Sequence, residues 1–236
     1  MNNNYVEQKS LVPIIPKSQF DTVATEFLTE YCSEALLNPM PVPIVDIAKK
    51  KMGLRIIAEY RLSEDFSIYG KICFTSGKTP IYDREEDEYR DIRVRRGTIL
   101  IDPDTLGERN IGCLHNTVAH ECVHWYKHRN YHLYNCLYNC GAGNPIAAAY
   151  RYPIIGKDER FQEEWDDEDW MEWQANGIAP RILMPVQTFE TAIDSIIEIA
   201  PFDSVPKWWV INQVSELYEV SKQSAEIRMN ELGIAV

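Results

Sequence analysis

Val118-Ala119-His120-Glu121-Cys122-Val123-His124-Trp125 carries the pattern H-E-x-x-H at residues 120–124. On an α-helix, two histidines four apart project from one face, one turn apart, so both imidazoles can reach one ion at the usual Zn–N distance of roughly 2.0–2.1 Å. Glu121, one residue further on, points about 100° around the helix, toward a water on the metal rather than toward the metal itself. The spacing therefore predicts His120 and His124 as zinc ligands and Glu121 as a general base, the arrangement that hydrolyses a peptide bond through a metal-activated water. The flanks predict the helix: Ile111, Leu114, Val118, Cys122 and Tyr126 recur close to one apolar face, and the histidines occupy another.

A catalytic zinc takes three protein ligands and keeps one position for water, so a third ligand is required. All five histidines (His115, His120, His124, His128 and His132) lie in this one window, and none elsewhere can supply it. Glu172 is a candidate, on a second helix where the small Ala175 permits close approach; by position alone it ranks no higher than Glu163, Glu164, Asp166, Asp167, Glu168 or Asp169. Residues 120, 124, 128, 132, 136 and 140 read His, His, His, His, Cys, Cys, which raises a second site at His132, Cys136 and Cys140. Steps of four drift about 40° each along an α-helix, which spreads those donors around it and argues against that site. His128 is expected to pack or hydrogen-bond beside the metal ligands.

Working outward, the apolar spacing from Phe20 to Tyr31 predicts a helix, as does that from Ile44 to Met52, which Gly53 ends. The period then changes to that of strands over 54–60, 67–74, 79–83 and 98–102. The last is expected at a sheet edge, where an extended peptide could add as a further strand. The charged run Arg84–Arg96 reads as a solvated loop. Residues 133–163, with Gly141, Gly143, Pro145, Pro153 and Gly156, read as a long loop of the kind that walls a cleft. Residues 164–183 read as a helix closed by Pro185, with Trp165, Trp170 and Trp173 as packing aromatics. Trp208–Gly233 reads as two short helices broken near Val220-Ser221, and residues 1–18 as a flexible arm without chemistry.

Composition narrows the function classes. The chain of 236 residues has 36 acidic against 24 basic side chains, a net charge of −12, which disfavours a direct nucleic-acid ligand. The N-terminus lacks the basic-then-apolar pattern of a secretory signal, and no apolar run approaches the roughly 20 residues that span a bilayer. The expected compartment is the cytoplasm, with the six cysteines reduced.

The metal helix followed by Glu172-x-x-Ala175-Asn176-x-x-Ala179-x-x-Ile182-Leu183-Met184-Pro185 resembles the ImmA/IrrE metallopeptidase family, whose second motif reads approximately E-x-x-A-N-x-F-A-x-x-L-L-M-P. Pro41-Val42-Pro43-Ile44-Val45-Asp46-Ile47-Ala48 with Gly53-Leu54 is similar to the family's opening helix and first strand, so the resemblance spans residues 41–185. It departs at Cys122-Val123, where Leu-Gly is usual, at His115-Asn116, at Ile178 and at Pro180. The resemblance implies Glu172 as third ligand, one catalytic zinc ion, and an α+β zincin-like domain with a small mixed or antiparallel sheet over residues 19–185. Residues 186–236 then form a helical, helix-turn-helix-like extension whose acidic balance disfavours DNA reading. The implied activity is a regulatory endopeptidase acting on a helix-turn-helix repressor of a mobile element or stress response. A non-proteolytic metal-binding regulator that engages such a repressor, and a zinc hydrolase of non-peptide substrates, are the alternatives; Glu121 favours an enzyme.

Overall fold

A computed structural model describes residues 12–138, 148–151 and 165–234 as a mixed α+β fold with a helical C-terminal region. Four strands form the main sheet: β1 (Arg55–Ile57), β2 (Gly70–Cys73), β5 (Thr98–Ile101) and β6 (Ala148–Arg151), in the order β1-β5-β2-β6. β1 runs parallel to β5, and β2 runs antiparallel to both β5 and β6. β3 (Gly77–Asp83) and β4 (Glu88–Val94) make a separate hairpin.

β2 and β5 are buried along their whole length, which is why Ile99-Leu100-Ile101 reads as an unbroken apolar run rather than an alternating one. Ile72, Phe74, Ile99 and Ile101 face the helices and join the main core. Cys73 and Leu100 face the other way and pack with Leu62, Ile81 and Val94 beneath the hairpin. The sheet is thus a wall between a helical layer and a hairpin layer.

The helical layer contains α1 (Phe20–Tyr31), the short α2 (Ile44–Asp46) with a π turn (Ile47–Lys51), a further π turn (Thr105–Arg109), α3 (Ile111–Val123), a third π turn (His124–His128), α4 (Arg129–Tyr138) and α5 (Asp167–Leu183). Gly53 follows the first π turn at φ +69°, the left-handed conformation expected of it. α6 (Val186–Glu198), α7 (Lys207–Leu217) and α8 (Lys222–Glu231) complete the chain. They are joined to the rest by buried charge: Arg228 of α8 donates to Asp21 of α1 and to the Met184 carbonyl, and Arg181 of α5 pairs with both Asp21 and Glu231. Among the described residues no helix is long and apolar enough to cross a membrane.

Four expectations are corrected. Strand Thr98–Ile101 is not at an edge, because parallel pairing with β1 occupies the side that β2 leaves free; the edges are β1 and β6. The charged run 84–96 is not a loop: Glu88–Val94 is a strand whose charges are tolerated because most of it is exposed, with Arg90 holding Asp83 across the hairpin at 2.6 Å. Within 133–163, residues through Tyr138 continue α4 and Ala148–Arg151 form β6; the rest of that span lies outside the described residues. The end of the N-terminal arm is packed rather than free, with Val12 and Ile15 buried.

Candidate metal centre

α3 begins at Asn110, whose side-chain oxygen accepts from the Cys113 amide at 2.9 Å. Its inner face, Val118, Ala119, Cys122 and Val123, is buried in the main core, and this holds His120 and Glu121 wholly inside the protein. α5 begins with a capping box in which Asp166 and Asp169 satisfy each other's amides. Asp167 and Glu168 share that first turn, where negative charge suits the helix dipole. These are four of the six acids that position alone could not separate from Glu172; Glu163 and Glu164 lie outside the described residues. Ala175 is fully buried where α5 crosses α3, the close approach its small side chain permits.

The two helices bring His120, His124 and Glu172 together, the one group of three such donors among the described residues. Nε2 of His120 and Nε2 of His124 are 3.0 Å apart. The two carboxylate oxygens of Glu172 lie 3.2 Å from His120 Nε2 and 3.0 Å from His124 Nε2. Ligand atoms about 2.0–2.1 Å from a tetrahedral ion are separated by about 3.3 Å, so three donors converging at this spacing fit one metal ion. Burial raises the Glu172 pKa, but His124 and His120 beside it outweigh burial and hold the carboxyl well below the usual range. It is an anion there, as a ligand must be.

The tautomer of His124 can be read from the far end of a hydrogen-bond chain. The Pro13 carbonyl only accepts, so the Gln174 amide nitrogen, 2.8 Å away, faces it. The Gln174 oxygen then faces His128 Nε2 at 2.9 Å, which places the His128 proton on Nε2 and leaves Nδ1 as an acceptor. His128 Nδ1 lies 3.0 Å from His124 Nδ1, which must therefore carry the proton, and His124 Nε2 is left with a lone pair aimed at the Glu172 group. Burial first, and His124 second, hold His128 far below the ordinary histidine pKa, consistent with a neutral ring in the middle of the chain. The π turn makes this geometry possible. Four residues of α-helix overshoot one turn by about 40°, whereas a π turn takes more residues to close, and the lag returns His128 to the side of His124. The drift expected of the histidine series is cancelled at its second step.

Glu121 is fully buried and is not one of the three converging donors. Its carboxylate lies over Gly70 of β2: a methyl group on residue 70 would come within 2.9 Å of Glu121 Oε1 and 2.6 Å of Thr117 Cγ2. Only a residue without a side chain leaves that space open.

His132 stacks on Phe74, ring centroids 4.2 Å apart, and burial pushes its pKa down to about 3. It does not join Cys136 in a donor group among the described residues, and Cys140 lies outside them. Cys122 is buried and its thiol pKa is raised by burial, the apolar role expected for it. His115 leaves the cluster altogether and bonds through Nδ1 to the Glu219 carbonyl. Pro180 sits inside an unbroken α5 without disturbing Glu172. The three tryptophans form a half-buried group, with Trp173 against Phe20 at 4.7 Å. Gln174, Pro13 and Gly70 were not foreseeable as site residues, since their roles arise from contacts between elements far apart in sequence.

The chain matches no protein-family model, no curated protein and no solved structure in comparisons with known proteins.

Proposed function

We propose that the protein is a zinc-dependent endopeptidase of zincin-like architecture, with His120, His124 and Glu172 as ligands and Glu121 as general base. The observation that carries the reading is the convergence of those three donors at 3.0–3.2 Å with a buried carboxylate next in sequence to the first of them. Two neutral nitrogens and one oxygen are a donor set suited to zinc. Zinc held there would supply Lewis-acid activation of a water and of the substrate carbonyl. Glu121 would take the water's proton and deliver it to the leaving amine, in the space that Gly70 leaves open. Gln174 and His128 would keep the Nε2 lone pair of His124 directed at the ion.

The resemblance of Glu172–Pro185 and of the metal helix to the ImmA/IrrE family supports a helix-turn-helix repressor as substrate. The test is zinc content and repressor cleavage, measured together for the wild type and Glu121→Gln. The expected result is one zinc in each and cleavage by the wild type alone, with a loss of at least about 100-fold in the variant. Zinc in both and cleavage by neither would favour the non-proteolytic regulator, and absence of bound metal in the wild type would sink both readings.

A further inference from the structure

The hairpin side of the sheet holds a cavity of about 610 Å³ between β1 and the β3–β4 hairpin. Four cations line it: Arg55 of β1, Lys78 of β3, Arg93 of β4, and Arg95, which follows β4. All four are exposed, and among the described residues none has a side-chain hydrogen bond or ion pair. That is unusual in a chain with a net charge of −12, where carboxylates outnumber cations. Nearby, Arg61 and Arg84 share Asp104 and Arg90 holds Asp83. Glu59 is the one acid in the cavity lining, which leaves a local excess of three positive charges.

A second observation lies at the floor. Thr98 of β5 lines the cavity, is 0% exposed, and its hydroxyl oxygen has no hydrogen-bond partner among the described residues. A buried hydroxyl without a partner is costly, and such groups are normally satisfied by protein, water or ligand. Thr98 pairs with Arg55 across the β1–β5 ladder, so the unsatisfied hydroxyl and a free guanidinium belong to one corner of the cavity.

We propose that this cavity binds a small polyanion bearing two or three phosphate groups. Guanidinium groups bind phosphate through paired N–H donors, and several phosphates match the excess charge. The volume lies within the range of small-molecule sites. A duplex would need a continuous basic track, which an acidic chain with one local cluster of cations does not supply. The site lies across the sheet from α3 and does not depend on the peptidase reading.

The test is calorimetric titration of the zinc-loaded full chain with inorganic tripolyphosphate and, separately, with a nucleoside triphosphate, both without added magnesium. We expect saturable one-site binding that weakens with salt and falls at least 10-fold in Arg93→Gln/Arg95→Gln with zinc content unchanged; any heat from zinc chelation is common to both proteins. Thr98→Val should weaken binding several-fold while the melting temperature of the free protein holds or rises. Equal affinity for the two probes would assign free polyphosphate as the source, and 10-fold tighter binding of the nucleotide would assign a nucleotide. Absence of saturable binding, or equal affinity in the double variant, would overturn the site. Displacement of tripolyphosphate by lower concentrations of duplex DNA would replace the small-molecule ligand with nucleic acid.

Discussion

Gly70 and Lys71 are neighbours on β2 and face opposite sides of the sheet. On the helix side, Gly70 removes its own side chain so that a fully buried carboxylate can lie against the strand, and the imidazoles beyond are chained through Gln174 to a backbone carbonyl. On the hairpin side, Lys71 carries a buried ammonium whose nitrogen donates to Thr79 Oγ1 at 2.8 Å, and burial pushes its pKa down to about 8. The helix side buries two carboxylates, Glu121 against Gly70 and Glu172 between two histidines. The hairpin side accepts charge and leaves four of its cations without partners among the described residues. One strand thus separates a region built to fix lone pairs in direction from one built to attract an anion.

The sharpest way to break the contrast is Gly70→Ala. The added methyl must displace Thr117 or Glu121, and the sheet behind it cannot give way, because β2 is paired on both sides. In the proposed mechanism, displacing Glu121 costs on the order of 100-fold in rate, whereas the proposed ligands sit on α3, the π turn after it and α5 and lose nothing. Peptidase assays beside zinc titrations should show that split. Zinc affinity falling together with rate would mean that the variant deforms α3 as a whole.

Gln174→Leu tests the hydrogen-bond chain. It frees the tautomers of His128 and His124 and leaves the Pro13 carbonyl and His128 Nε2 without their present partners. Competition with a chelator should show zinc affinity reduced about 10- to 100-fold, the usual cost of losing a group that orients a ligand. Gln174→Glu keeps an acceptor for His128 and should bind zinc within a few-fold of the wild type. Equal losses in both variants would point to helix packing rather than to the tautomer.

These roles show what was legible in the sequence and what was not. His120, Glu121 and His124 follow from spacing along one helix, and α1, α3, α7 and α8 follow from apolar period and stop signals. Glu172 was legible only through a resemblance, since several acids share its neighbourhood and only the crossing of α5 over α3 selects one. Gln174 is two residues away and equally unmarked, because its partners come from the π turn after α3 and from the N-terminal segment at Pro13. The interior position of Thr98–Ile101 was hidden because the order of strands in a sheet is not written in any strand. β4 was hidden because a strand exposed on most of its surface needs little apolar residue to mark it. The π turn was hidden as well, and with it the reason that His120, His124 and His128, spaced by four, do not drift apart.

Lys71→Met is the smallest of the expected effects and tests the other face. Burial depresses the pKa of Lys71 from 10.5 to about 8 in the folded protein, so in between the unfolded chain binds more protons and stability rises with pH. The wild type should gain on the order of 1–2 kcal/mol from this group between pH of about 8 and 9.5, and Lys71→Met should gain none of it. The buried thiols act in the opposite sense, because Cys73, pushed up to about 12, keeps its proton on folding while the unfolded chain loses it. Denaturant unfolding of both proteins at both pH values removes that contribution by difference, apart from the part that Lys71 itself exerts on Cys73. A pH dependence unchanged by the substitution would mean that the ammonium is solvated beneath the hairpin, and burial would then not distinguish Lys71 from the exposed cations of that face.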